Sequence, residues 1–246
     1  MKRRGKIYAL YAVLVLSIGA AAFFGFSLYN ESRMIGQAQS FYADAAIPQM
    51  PRPTDLSAGS GAGSLDFDTK REDFPDIVAW IQSYGTVINY PVVQSGDNDH
   101  YLNHLPDGSP HWMGSIFMDY RNTPDFSDPV TLIYGHEMPS GDKFGSLTSY
   151  HSQEFFDDHD SMFIFTPHRD YTFVILGGYI INQYLEHPPM SFRNPADFYV
   201  YTAEIAERSV FTSRHRASYG DRLVILVTCT PGGVNHERLL IIGKLV

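Results

Sequence analysis

A single cysteine, Cys229, closes the apolar run LVILVTC and is followed at once by Thr-Pro-Gly-Gly. The thiolate is the reactive form, yet an unperturbed thiol titrates near pH ~8.5 and is only a few per cent ionised at neutrality. A nucleophilic Cys229 therefore needs a cation or an acid–base partner nearby. His136, in Thr-Leu-Ile-Tyr-Gly-His-Glu-Met, stands just past another apolar run. Its neighbour Gly135 leaves room for a ligand or another backbone. Arg238 opens the last apolar run, nine residues after Cys229 across TPGGVNHE. If those two runs are antiparallel neighbours, Arg238 returns to the same rim as Cys229, where a guanidinium could donate to a developing oxyanion. Each residue also has a plainer reading. Cys229 could be a small buried hydrophobe, His136 a surface or capping residue, and Arg238 half of an exposed ion pair with Glu237. Shared position at strand ends is what sets the three apart.

Metal chemistry is less well supported. His100 and His104 have i, i+4 spacing suited to two zinc ligands, but no third ligand is evident. His136-Glu137 begins like HExxH, and Ser140 stands where the second histidine would have to be.

The elements that must position these residues are mostly strands. Short β-branched and aromatic runs cover Thr86–Val93, Ser115–Met118, Val130–Tyr134, Met162–Phe165, Tyr171–Tyr184, Arg222–Cys229 and Arg238–Val246, divided by Gly, Pro, Asn and Asp clusters. That pattern predicts a sandwich or barrel. Helices are predicted over Phe74–Gln82, with Pro75 in the first turn, over Asn98–Leu105, and over Pro195–Ser209 between two late strands.

Residues 7–29 contain no charged side chain. As a helix they would extend about 34 Å, enough to cross a hydrocarbon core of about 30 Å. Lys2, Arg3, Arg4 and Lys6 precede them, which predicts a cytoplasmic N-terminus and an extracytoplasmic body on an uncleaved anchor. Residues 30–47 read as a mixed, partly helical stretch. Residues 48–64, PQMPRPTDLSAGSGAGS, read as linker, so residues 30–65 are expected to connect the anchor to a folded domain over 66–246. The chain has 246 residues and a net charge of −9; beyond residue 6 it carries 14 basic against 27 acidic side chains. The acidic balance argues against a nucleic-acid partner, and one cysteine excludes an internal disulfide framework.

Four segments in order carry a family resemblance: DFPDIVAWIQSYGTVINYPVVQSGDNDHYLNH, GSIFMDYRN, TLIYGHEMPSGDKFGSL and LVTCTPGGVNHERLLIIGKLV. Together they resemble the class B sortases over about residues 74–246. The resemblance implies a mainly β fold, a closed barrel of about eight strands with N-terminal helices and the 195–209 helix inserted between the sixth and seventh strands. It implies a cysteine transpeptidase in which Cys229 forms a thioester with a sorting signal, His136 transfers protons and Arg238 stabilises the oxyanion. Asn98 and Leu102 match positions that line the peptide groove; alternatively Asn98 is a helix cap and Leu102 is core. The implied partners are surface proteins bearing sorting signals, the membrane, and an acceptor amine from peptidoglycan precursor or from a pilin lysine. No cofactor is implied. An exported cysteine peptidase delivering the acyl group to water is the alternative enzyme, and a tethered binding module the non-enzymatic one. The joint presence of Cys229, His136 and Arg238 argues against the latter.

Overall fold

The computed structural model describes residues 2–50, 65–138, 140–229 and 236–246. Two compact units divide the chain at Ala45. The first is a single helix, α1 (Lys2–Ala45), which carries the apolar run and is long and apolar enough to cross a membrane by length and composition. Of the expected linker over 48–64, only the first three residues fall within the described part.

The second unit is a closed eight-stranded barrel. Its strands are β1 (Ile77–Gln82), β2 (Asn89–Val93), β3 (Ile116–Met118), β4 (Val130–Tyr134), β5 (Ser161–Phe165), β6 (Asp170–Asn182), β7 (Leu223–Cys229) and β8 (Glu237–Leu245). They neighbour one another in the order β1-β2-β3-β4-β7-β8-β6-β5, and β5 closes back on β1. The β2–β3 and β4–β7 pairs are parallel and the others antiparallel.

The helix expected over Phe74–Gln82 is instead strand β1, with a separate short helix α2 (Phe67–Asp73) before it. IVAWIQ is apolar at consecutive positions rather than along one helical stripe. A strand buried on both faces accepts that composition. Only Val78 of the six is partly exposed, and β1 is paired on both edges. α2 starts where a side chain can satisfy its free N–H groups: the Asp66 carboxylate accepts from the amides of Asp68 and Thr69 at 3.1 and 3.2 Å.

Buried amides tie the chain just beyond Ala45 to this barrel. Gln82 donates to the carbonyl of Pro48 (3.0 Å) and accepts from the amide of Met50 (2.8 Å), while Asn89 donates to the carbonyl of Ile47 (2.7 Å). The Trp80 indole N–H, fully buried, donates to Asn89 at 2.7 Å and fixes its orientation.

The inserted helix lies where the Pro195–Ser209 pattern predicts it, between β6 and β7. After the short helix α3 (Gln153–Asp158), it is α4 (Pro195–Arg208). The Asn194 side chain caps it by accepting from the Asp197 amide at 3.0 Å, and Pro195 occupies the first turn. Phe198, Tyr201 and Ile205 form its buried stripe, packed with Tyr179, Ile225 and Ile242 of the barrel. Burying each such side chain contributes about 1.5–3 kcal/mol. α4 thereby covers the face formed by β6, β7 and β8, and the last two of these carry site residues.

Candidate active site

Three strand ends meet at one rim. The parallel β4–β7 ladder ends on Tyr134 opposite Val227, and the amide of Gly135 still donates to the Val227 carbonyl at 3.1 Å. His136 and Cys229 are each two residues beyond that last pair. On the other side of β7, antiparallel β8 places Arg238 directly opposite Cys229. Backbone register alone thus brings the ends carrying His136, Cys229 and Arg238 side by side. Cys229 is described through its backbone; its side chain and the TPGGVN turn at 230–235 lie outside the described residues.

A cleft of about 430 Å³ opens at this rim. His136, Arg238, Asn98 and Leu102 all line it, with Phe117, Tyr134, Gln183, Val227 and Thr228. The helix expected over Asn98–Leu105 shrinks to a 3-10 turn at His100–Leu102, and Asn98 precedes it. Asn98 is not its cap: its side chain engages Asp119 and the amide of Tyr120. Leu102 is not core either, being 41% exposed at the cleft. Tertiary packing, rather than a common helix, brings the two residues to one cleft.

His136 is half-buried, and its Nε2 lies 2.7 Å from the carbonyl of Leu102. A carbonyl can only accept, so Nε2 carries the proton and Nδ1 of the neutral ring is the free lone pair. Burial lowers the imidazole pKa below its ordinary value. The Leu102 carbonyl opposes this by favouring the cation, and the charges of Lys143 and Arg238 add to the lowering. Arg238 is half-buried, with Nη1 donating to the backbone carbonyl of Glu237 at 3.0 Å.

The loop after His136 contains a side chain that its sequence context does not announce. Lys143, in Gly-Asp-Lys-Phe, is wholly buried and donates from Nζ to the carbonyls of Met113 and Gly114. Burial pushes its pKa down to about 7, with Asp142 acting in the opposite sense. Gly114 has φ +56°, and a Cβ there would stand 2.5 Å from the Leu102 carbonyl oxygen, the acceptor of His136. Only glycine allows that approach. Gly135 serves a similar need, though not by leaving its site open: the Phe144 ring fills the space, and an added Cβ would fall 2.6 Å from it. Gly135→Ala should cost about 1–3 kcal/mol through overpacking beside His136, readable as a lowered thermal midpoint. An unchanged midpoint would show that Phe144 yields freely.

The titration of His136 gives a second expected result. Its NMR midpoint should lie below pH ~6.5, and Lys143→Met should move it upward by removing one facing cation. With the folded pKa below the unfolded one, the stability contributed by the neutral ring is complete above pH ~6.5 and is lost as pH falls through the folded pKa. A midpoint above ~6.5 would contradict the dominance of burial.

Other sequence candidates fall elsewhere. The rings of His100 and His104 stack at 4.0 Å, and His104 Nδ1 contacts the carbonyl of His100 at 2.7 Å. Among the described residues, no group of three or more His, Cys, Asp or Glu side chains is arranged to hold a metal ion.

A closed barrel with a helix between its sixth and seventh strands, and with cysteine, histidine and arginine strand ends at one rim, defines a sortase-type protein. The chain is 36% identical over 172 residues to Sortase B of Listeria monocytogenes, spanning 70% of each. It is 28% identical to Sortase B of Staphylococcus aureus, over 73% of this chain and 74% of that one. Among solved structures, the S. aureus sortase B–substrate complex matches with TM-score 0.69 at 28% identity, over 73% of this chain and 84% of that one. A Bacillus anthracis protein described as similar to sortase B matches with TM-score 0.70 at 30% identity, over 89% and 97%. None of the protein-family models compared matches the chain. The chain belongs to the sortase B family, and its class of activity is that of a sortase transpeptidase.

Proposed function

We propose that the protein is a membrane-anchored cysteine transpeptidase that attaches surface proteins to the amine of a cell-wall peptidoglycan precursor. The observation that carries this reading is the register that sets Cys229 opposite Arg238 and level with His136 beyond the paired ends of β4 and β7. Neutral His136 takes the proton of the Cys229 thiol, and the resulting thiolate attacks the carbonyl carbon of a sorting-signal residue. The peptide C–N bond breaks as His136 delivers a proton to the departing amine, leaving a thioester. An incoming amine then attacks that thioester, His136 takes up its proton, and Cys229 leaves as thiolate. Arg238 donates to the oxyanion in both tetrahedral states. Asn98 and Leu102 line the peptide's path. Relatives solved as a sortase B–substrate complex and as Sortase B complexed with triglycine support a peptide donor and an amine acceptor. α1 supplies the anchor, with the basic head cytoplasmic and the barrel outside.

The test is intact mass spectrometry of the full-length chain in detergent, incubated with a panel of sorting-signal peptides. An acyl adduct on Cys229 that disappears on addition of a short amine, with the transferred product recovered, is the expected result. Loss of the adduct to water at the same rate with or without amine would make the protein a peptidase. Transfer to a pilin lysine peptide, and not to a peptidoglycan stem amine, would make it a pilin polymerase.

A further inference from the structure

Asp119 follows β3 directly and is fully buried. Its carboxylate gathers donors from three directions. Oδ1 accepts from the amide and Nε of Arg121 at 3.0 and 2.8 Å. Oδ2 accepts from Nη2 of Arg121 (2.8 Å), Nδ2 of Asn98 (3.0 Å) and the hydroxyl of Tyr134 (3.0 Å). Asn98 and Tyr134 are both walls of the cleft. Asn98 is also held from its other end, where Oδ1 accepts from the amide of Tyr120 at 3.0 Å.

The donor and acceptor rules leave this cluster one arrangement. A carboxylate only accepts and a backbone N–H only donates, so the Asn98 amide cannot flip. Tyr134 spends its single proton on Asp119, so its oxygen can offer a peptide only lone pairs. The pKa of Asp119 agrees: burial would raise it, but Arg121, Asn98 and Tyr134 hold it down at about 2, so it stays an acceptor at any working pH. The surrounding turn is secured separately, through the main chain of Asp119. Its carbonyl accepts from Gln94 Nε2 (2.9 Å) and the Asn122 amide (3.0 Å), and its N–H donates to the Leu132 carbonyl (3.0 Å).

We propose that Asp119 is a positioning residue of the sortase site: its carboxylate locks Asn98 and Tyr134 in one donor–acceptor pattern, and that pattern selects the peptide. The inference rests on the transpeptidase reading. It implies that any peptide group meeting the Tyr134 oxygen must donate, and that one Asn98 N–H remains to meet a peptide carbonyl.

The test uses full-length protein in detergent. Asp119→Ala removes both acceptor oxygens, and should raise KM for the sorting-signal peptide about tenfold with kcat little changed. Asn98→Ala should also raise KM, and the double variant should be no worse than the Asp119 variant alone. Arg121→Gln leaves the bonds to Asn98 and Tyr134 in place, so it should lower thermal stability while KM stays near wild type. An unaltered KM in Asp119→Ala, or effects of Asp119→Ala and Asn98→Ala that multiply in full, would overturn the proposal. A readout independent of turnover separates it from the parent reading: the Asn98 side-chain proton bonded to Asp119 should exchange slowly with solvent in wild type. That protection should be lost in Asp119→Ala and retained in Arg121→Gln. Protection lost in Arg121→Gln as well would overturn the proposal and reduce the effect to general loosening. Slow exchange without acyl transfer to any amine would sink the transpeptidase function and leave the lock intact. Transfer with fast exchange would sink the lock alone.

Discussion

Cys229→Ala is expected to lose acyl transfer by at least about 10⁴-fold, because no other described residue at the rim offers a polarisable nucleophile to form the thioester. The fold should survive. Cys229 is the last residue of β7, so the substitution removes one sulfur from a strand end while the ladder from Leu223 onward keeps its partners on both sides. A stability change within about 1–2 kcal/mol is the expected cost, measured by chemical denaturation beside the mass-spectrometric assay. Loss of folding in place of loss of turnover would return Cys229 to the role of a small core hydrophobe.

Arg238→Lys is the second large effect, and the more diagnostic because charge is retained. Nη1 of Arg238 is anchored on the Glu237 carbonyl at 3.0 Å, which orients the rest of a planar fork from a fixed place opposite Cys229. A lysine ammonium is a point charge on a flexible stem and cannot hold that anchor and aim a second donor at an oxyanion together. A fall in kcat/KM of about 10²–10³-fold is expected, with acylation slowed in single-turnover mass spectrometry. Near wild-type kinetics would remove Arg238 from the mechanism.

The barrel is largely legible in the sequence because its strands advertise themselves locally. Val130–Tyr134, Leu223–Cys229 and the run to Leu245 are apolar stretches between turn residues, and α4 shows a Phe198–Tyr201–Ile205 stripe between an Asn-Pro start and Ser209. Strand β1 reads as helix because five consecutive apolar residues, Ile77 to Ile81, carry no periodicity to tell the two apart, and Pro75 favours the wrong choice. The Asn98–Leu105 segment misleads for a related reason: its polar and aromatic residues answer to Asp119, Asp76 and the barrel wall rather than to one another.

Residue order already carries the chemistry on offer, one thiol, one imidazole and one guanidinium at the ends of apolar runs, and the apolar helix ahead of them. Those are properties of residue type and neighbour spacing. The folded barrel is what puts Cys229 in register with Arg238, aims the Leu102 carbonyl that sets the His136 tautomer, buries Lys143 in the loop after His136, and lets Asp119 hold Asn98 and Tyr134 together. Each of those is a contact between residues apart in the chain, fixed by strand register and barrel closure, and no local pattern of residue types encodes it.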